Sequence, residues 1–407
     1  MFERKLVSLI MMKIKPNFQH ADHFKNFWTK GNGRQLVDWT YAQLSFDDFE
    51  RFAPLYYKVD ELGDNVVKEV YLTQSFSKAS QQINEYIING VDQNDPSVPN
   101  SIKRLFTQID EIPDWLDWNL IETGAELCRK SGLNSLISLR DYSLMGGYDF
   151  GYLNKPLIFT GALKRGAVKR LADTLDFWVN VTRKNALQKP HKGYELCIKT
   201  RLIHSYSRLM ILEKRKDWDT EKWGLPINTW DMCATYIGFS LVFLHGLKKL
   251  GITISPEEEK GHFHLWKYIG NLIGIPSEFL PNSKKEATEH FYLWTSIQPP
   301  SDKDSALLAK SLLDENLEST ILKYQFQRKN LRYLHIAMNW YLLDPEVNER
   351  LQIPRIPLKK VFPTFLKSQN KIFQTIFSRK RQIEIGGKAQ EKVLEDYLRT
   401  APRNVHH

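Results

Sequence analysis

Apolar residues recur three and four positions apart along most of the chain, the spacing that gathers them on one face of an α-helix. Ser101 to Ile109, Leu116 to Ser131, Leu133 to Met145, Arg165 to Asn180, Tyr194 to Lys214, Asn228 to Leu250 and Pro256 to Ile273 all carry this period, whereas strand-like alternation is sparse. The stops agree with it. Gly132, Gly251 and Gly274 follow such segments as end caps, Pro226 and Pro256 stand near helix starts, and Ser255-Pro-Glu-Glu-Glu reads as an N-cap with an acidic first turn. The pattern predicts an all-α chain. Met145-Gly-Gly-Tyr-Asp-Phe-Gly151 interrupts it, and its glycines fit a plain loop or a close approach of backbone to a ligand.

At 407 residues and 42% hydrophobic the chain can bury a large core, and one main helical domain with extensions accounts for it. The expected division is a helical extension over 1–95 ending in the loop Gly90 to Pro99, a main domain over 96–345, and a basic extension over 346–407. Pro281 to Asp304 reads as a surface connection. Lys and Arg outnumber Asp and Glu by 57 to 47, a net charge of +10. Much of the excess sits late, where Lys359, Lys360, Lys367, Lys371, Arg379, Lys380 and Arg381 alternate with Phe362, Phe365, Phe373 and Phe377. A solvated basic helix is the simpler reading, and peripheral membrane contact through this segment stays open. Cys128, Cys197 and Cys233 are too few and scattered for a disulfide framework or zinc cluster, which fits a reducing, cytoplasmic setting. The apolar run Leu6 to Met12 is bounded by lysines and reads as a helix start rather than a secretory signal. Tyr236 to Leu247, the longest oily run, falls short of the roughly 20 residues that span a bilayer. No Gly-x-Gly-x-x-Gly after a strand, Gly-x-Ser-x-Gly elbow or P-loop occurs, which argues against dinucleotide, hydrolase and nucleotide-triphosphatase chemistry.

Candidate chemistry concentrates in Lys199 to Leu212, where Arg201, His204 and Arg208 lie three and four residues apart and share a helix face with apolar neighbours. One imidazole, an oily wall and nearby cations suit a haem, although a lone histidine on such a face is more often a hydrogen-bonded core residue. A second predicted helix carries Arg170 and Thr174 four apart, so a guanidinium and a hydroxyl face the same way. Arg328 and Arg332 could also reach a cofactor acid group. His262-Phe-His264 looks like a metal pair, but residues two apart on a helix point to nearly opposite sides.

Arg170-Leu-x-x-Thr174, followed by Arg201-x-x-His204-x-x-x-Arg208, resembles the latex-clearing protein (rubber oxygenase) family and the related mpaB-type fungal oxygenase. Trp223-Gly-Leu-Pro-Ile-Asn228, Asp231, Thr235, Phe239-Ser240, Gly246 to Ile252 and His264-Leu-Trp-Lys-Tyr-Ile-Gly270 through Gly274 look like that family's C-terminal half. Pro113 to Trp118 and Tyr152 to Gly161 fit its upstream part, so the resemblance runs from about Pro113 to Ile275. It implies a globin-like haem-binding core and a haem b-dependent oxygenase that cleaves a carbon–carbon double bond with dioxygen. His204 would ligate the iron, its other nitrogen held by an acceptor, and Arg201 and Arg208 would pair with propionates or buttress the ligand helix. Arg170 and Thr174 would belong to the pocket, with Lys169 and Lys164 as weaker candidates.

One departure matters. Rubber-cleaving members carry a lysine before the motif threonine, and here that position is Asp173, either a proton acceptor in catalysis or a solvated acid. Without a recognisable secretion signal, a terpenoid or other apolar alkene is a more natural substrate than an extracellular polymer. Two alternatives from other classes are a non-catalytic haem or apolar-ligand binder and a basic helical module for nucleic acid or anionic membranes. The second leaves the His204 and Arg170 spacings unexplained, so nucleic acid is not an expected partner.

Overall fold

The computed structural model describes residues 21–161, 163 and 166–400. The Leu6 to Met12 run and Lys164 lie outside the described residues. The longer helices are α1 (Ala21–Thr29), α2 (Asn32–Thr40), α3 (Glu61–Val66), α4 (Phe76–Asn89), α5 (Asn100–Asp110), α6 (Trp118–Lys130), α7 (Leu133–Ile137), α8 (Ala167–Val181), α9 (Lys192–Lys214), α10 (Thr229–Ile237), α11 (Pro256–Leu272), α12 (Lys284–Thr295), α13 (Lys303–Glu318), α14 (Gln325–Leu342), α15 (Val361–Ile376) and α16 (Arg379–Thr400). Among the described residues there is no strand. α7 runs on through a π-helical stretch, Ser138–Leu144, to Met145–Gly147, and α10 through another, Gly238–Val242, to Phe243–Lys249.

Local chemistry explains several boundaries. At the start of α11 the Ser255 hydroxyl accepts from the Glu258 amide at 3.2 Å while the Glu258 carboxylate accepts from the Ser255 amide at 3.0 Å, a complete capping box. Lys130 of α6 donates to the same carboxylate at 2.7 and 2.8 Å, tying the cap to its neighbour. Gly124 and Gly261 let α6 and α11 touch backbone to backbone, since a Cβ at Gly124 would sit 2.3 Å from the Gly261 carbonyl oxygen. α11 ends before Gly274, whose φ of +92° is the left-handed stop expected there.

One apolar core takes in Trp28, Leu36, Phe52 and Ile83 together with Leu127, Trp178, Leu202, Trp230 and Leu265, and reaches Leu394 near the C-terminal end. The segment expected as an N-terminal extension therefore supplies core side chains rather than lying apart. The C-terminal segment is tied in as well, with Gln390 donating to the carbonyls of Cys128 and Gly132 at 2.8 and 2.9 Å. A smaller cluster joins Tyr142, Met145, Leu171, Leu312, Met338 and Leu342. The result is a single all-α domain. The three cysteines are buried and free. Among the described residues no helix is long and apolar enough to cross a membrane.

Burial also makes the fold sensitive to acid. His245 and His262 are held down to about 3 and His290 to about 4, chiefly by desolvation of the charged ring. Below the unfolded value near 6.5 the unfolded chain takes up protons that these folded rings refuse, so stability is complete above that pH and falls as pH drops towards 3. Asp231, pushed up to about 6 by burial, opposes the trend with one proton. The thermal unfolding midpoint is therefore expected to fall steadily from pH 6.5 to 4.5, less steeply in His262→Leu. A flat midpoint over that interval would contradict the assignment.

Candidate functional site

A cavity of about 710 Å³ opens between α7, α8, α9, α10 and α14, lined mainly by apolar side chains that include Leu136, Leu171, Leu175, Trp178, Phe239 and Met338. Cavities of ~300–1,000 Å³ are the usual size for small-molecule and cofactor sites. The two π-helical stretches meet at its wall, where the Ser143 hydroxyl donates to the Gly238 carbonyl at 2.8 Å and Ser138 to Phe243 at 2.9 Å. Such widened turns displace side chains from the regular helical register, and here they bring Ser143, Gly238, Phe239 and Val242 to the cavity. The Met145 to Gly151 stretch, expected as a loop, ends α7 and lines the cavity with Gly146 to Phe150.

His204 projects from the middle of α9 to this wall. Its Nδ1 is buried with no hydrogen-bond partner, so the acceptor expected to orient the ring is not found. Desolvation, reinforced by the Arg208 charge, holds the ring down to about 4, against a raising effect of Asp60. At neutral pH the imidazole is uncharged and keeps a nitrogen lone pair for a ligand. Behind it lies a second, water-sized space of about 20 Å³ bounded by Asp60, Arg201, Arg208 and Thr229.

The flanking arginines turn the other way. Arg201 Nε and Nη2 donate to the two Asp60 oxygens at 2.7 and 2.8 Å, and Nη1 donates to Gln108 at 2.8 Å. Arg208 grips Asp64 through Nε and Nη2, the shortest contact 2.6 Å, and reaches the Ile227 carbonyl at 2.8 Å. These forked pairs clamp α9 to α3 and the turn before it, so of the two expected roles the geometry has the buttress and leaves no free fork for a cofactor acid. Arg328 and Arg332 are engaged too, with the Leu322 carbonyl at 2.7 Å and the Asp314 carboxylate at 3.0 Å.

Arg170 differs. Its Nε and Nη2 are buried without a partner, and the guanidinium lies 5.7 Å from the Tyr148 ring centroid. Tyr148 Oη and Asn316 Nδ2, both of cavity-lining residues, are likewise buried and unpartnered. Arg170 does not itself line the cavity but stands against Tyr148, which does, and a cation with open donors in that position suits an acid group. Thr174 lines the cavity one turn on, its hydroxyl donating to the Arg170 carbonyl at 2.9 Å. Asp173 does not join them. One residue is about 100° of helix rotation, which puts its side chain outside, 61% exposed and paired with Lys169, so the catalytic placement expected for it is not met.

Sequence reading missed Asp141 and His335. The fully buried Asp141 carboxylate accepts from Arg140 at 2.7 Å and pairs with His335 Nδ1 at 2.6 Å. Those partners outweigh burial and hold the carboxyl below the usual carboxylate range. His335 lines the cavity, and Nδ1 is the ring nitrogen that Asp141 engages. Nothing local marks this pair, because its members stand almost two hundred positions apart; only the apolar period around each predicts a helix. Asp60 and Asp64 were invisible for the same reason. His262 and His264 part as their spacing requires, His262 Nε2 meeting the Phe239 carbonyl and His264 Nε2 accepting from the Asp117 amide at 2.8 Å. Among the described residues no group of three or more His, Cys, Asp or Glu is placed to hold a bare metal ion. A single free imidazole suits a metal that arrives with its other ligands.

Residues 136–365 match the family described as ER-bound oxygenase mpaB/B'/Rubber oxygenase, catalytic domain. That span begins later and reaches further than the resemblance legible between Pro113 and Ile275. A solved structure of latex clearing protein LCP in the closed state has a similar fold, with a TM-score of 0.58 and 16% identity, over 84% of this chain and 91% of that one. The chain matches no curated protein sequence.

Proposed function

The chain belongs to the ER-bound oxygenase mpaB/B'/rubber oxygenase catalytic-domain family, and from that premise we propose that it is a haem b-dependent oxygenase acting on an apolar alkene such as a terpenoid. The carrying observation is His204, a neutral imidazole without a hydrogen-bond partner at the wall of a large apolar cavity. The residues suit the group. His204 would give one ring nitrogen to the iron, Arg170 would pair one acid group of the macrocycle through its open fork, and Thr174 would pack beside it. When bound, haem would supply the iron that activates dioxygen beside a carbon–carbon double bond, leaving a carbonyl on each fragment.

The protein's own part is positional. Leu171, Leu175, Trp178 and Phe239 would hold the alkene and exclude water, while Arg201 and Arg208 keep α9, and so His204, fixed. His335, oriented by Asp141 through Nδ1, and Asp231, its carboxyl pushed up to about 6 by burial, are wall groups that would hold or pass a proton. A non-catalytic binder with the same pocket is the second reading, favoured by Asp173 in place of the family lysine. Dioxygen uptake by haem-loaded protein with a panel of unsaturated terpenoids separates the two. The proposal expects one dioxygen consumed per double bond cleaved into two carbonyl fragments, and Asp173→Asn within about twofold of the parent, as for a surface change. Bound haem with no uptake on any alkene would leave only the binder.

A further inference from the structure

Residues 351–383 contain no Asp or Glu but eight cations, Arg355, Lys359, Lys360, Lys367, Lys371, Arg379, Lys380 and Arg381. Most of the net charge of +10 therefore sits in one short segment. Arg355, Arg379 and Arg381 are paired with Glu349, with Glu126 and Glu258, and with Glu384. Lys359 lies over the Trp340 ring at 3.5 Å. Lys360, Lys367, Lys371 and Lys380 have no carboxylate partner among the described residues.

α15 carries this charge in strips. At 100° per residue, Phe362, Leu366 and Phe373 fall on one side, and Phe362 and Leu366 pack on the smaller core cluster. Val361, Phe365, Ile372 and Ile376 fall within roughly 60° of one another, about a quarter turn round from those three and facing away from the buried Pro363 and Asn370. They are 59%, 57%, 58% and 68% exposed, and Leu358, one turn earlier, is 73% exposed. Lys360, Lys367 and Lys371 form a third strip on one flank of that bare stripe, past the polar Thr364, Ser368 and Thr375. An apolar ridge edged by unpaired lysines is what a helix lying in a lipid headgroup layer requires.

We propose that this outer face of α15 docks on an anionic lipid bilayer, the apolar ridge entering the headgroup boundary and the lysines meeting lipid phosphates and carboxylates. Two other occupants fit less well. Nucleic acid would satisfy the lysines but not the ridge, and a second copy would set one acid-free face against another. Phe362, on the inner side of the same helix, lines the cavity. An apolar compound dissolved in the bilayer would thus meet the protein beside its cavity. Only that last step rests on the proposed oxygenase; docking itself requires no haem.

Cosedimentation of the full chain with phosphatidylcholine vesicles, with and without phosphatidylserine, tests this. Binding is expected only with phosphatidylserine and is expected to weaken as salt rises. Lys367→Ala/Lys371→Ala should lower it roughly fivefold per lysine, and Phe365→Ser/Ile372→Ser should lower it at least as much. Leu307→Ser, at an equally exposed apolar position on α13, should leave it unchanged. The proposal is overturned by absent binding to phosphatidylserine vesicles, by binding indifferent to Phe365→Ser/Ile372→Ser, or by a dimer that the same double change dissolves.

Discussion

Arg201→Met is expected to destabilise the protein by about 3–5 kcal/mol before any cofactor is added, because it strands the Asp60 carboxylate in a largely buried site. The Arg201 side chain is 2% exposed and that of Asp60 13%, so bulk water reaches the stranded carboxylate poorly. The Arg34–Asp38 pair supplies the contrast, since both side chains are 56% exposed and Arg34→Ala should cost less than about 1 kcal/mol. Urea unfolding of the cofactor-free proteins measures both. The comparison also separates the two roles open to Arg201. A residue whose work is to hold cofactor acids would show its loss only in loaded protein, whereas a clamp between α9 and the turn before α3 shows it without cofactor. Equal effects of the two substitutions would remove the clamp.

Arg170→Met should behave in the opposite way. Its guanidinium has two buried nitrogens without partners, so replacing it with an apolar side chain relieves an unpaired cation. Cofactor-free stability is expected to hold or to rise by up to about 1 kcal/mol, the gain being limited by loss of the Tyr148 ring contact. Haem affinity should fall by about 1.5–3 kcal/mol, roughly ten- to 150-fold, the worth of a hydrogen bond to a charged group. Haem titration paired with unfolding of the cofactor-free protein reads both signs. A variant less stable without haem yet equal in affinity would show that Arg170 belongs to the structure and not to the pocket.

These two arginines mark how far the sequence could be read. Helical period and caps located most of the framework, including the Ser255 box and the Gly274 stop, because each is written within a few residues. The convergence of Thr174 and His204 on one cavity came from motif order, and periodicity alone would have left His204 a core histidine. What decides between the two roles of Arg201 and Arg208 in favour of the buttress is Asp60 and Asp64, about 140 residues upstream in the segment expected as an N-terminal extension. No local pattern announces an ion pair across that distance. Asp141 and His335 escaped notice for the same reason, and the π-helical turns because one extra residue per turn leaves the apolar period nearly intact. For Asp173 simple helix geometry decides between the two readings, in favour of the solvated acid. Adjacency in the motif is a rotation of about 100° on the helix, enough to leave Asp173 outside once Thr174 turns inward.

The visible absorption spectrum of purified protein mixed with haem b and passed through a desalting column, recorded beside His204→Ala, tests the central claim most directly. The account predicts a Soret band retained by the parent and lost or shifted in the variant. Unfolding of the cofactor-free proteins should differ little, since the His204 Nδ1 makes no hydrogen bond to lose. A parent that retains no haem, or an unchanged Soret band in His204→Ala, would contradict it.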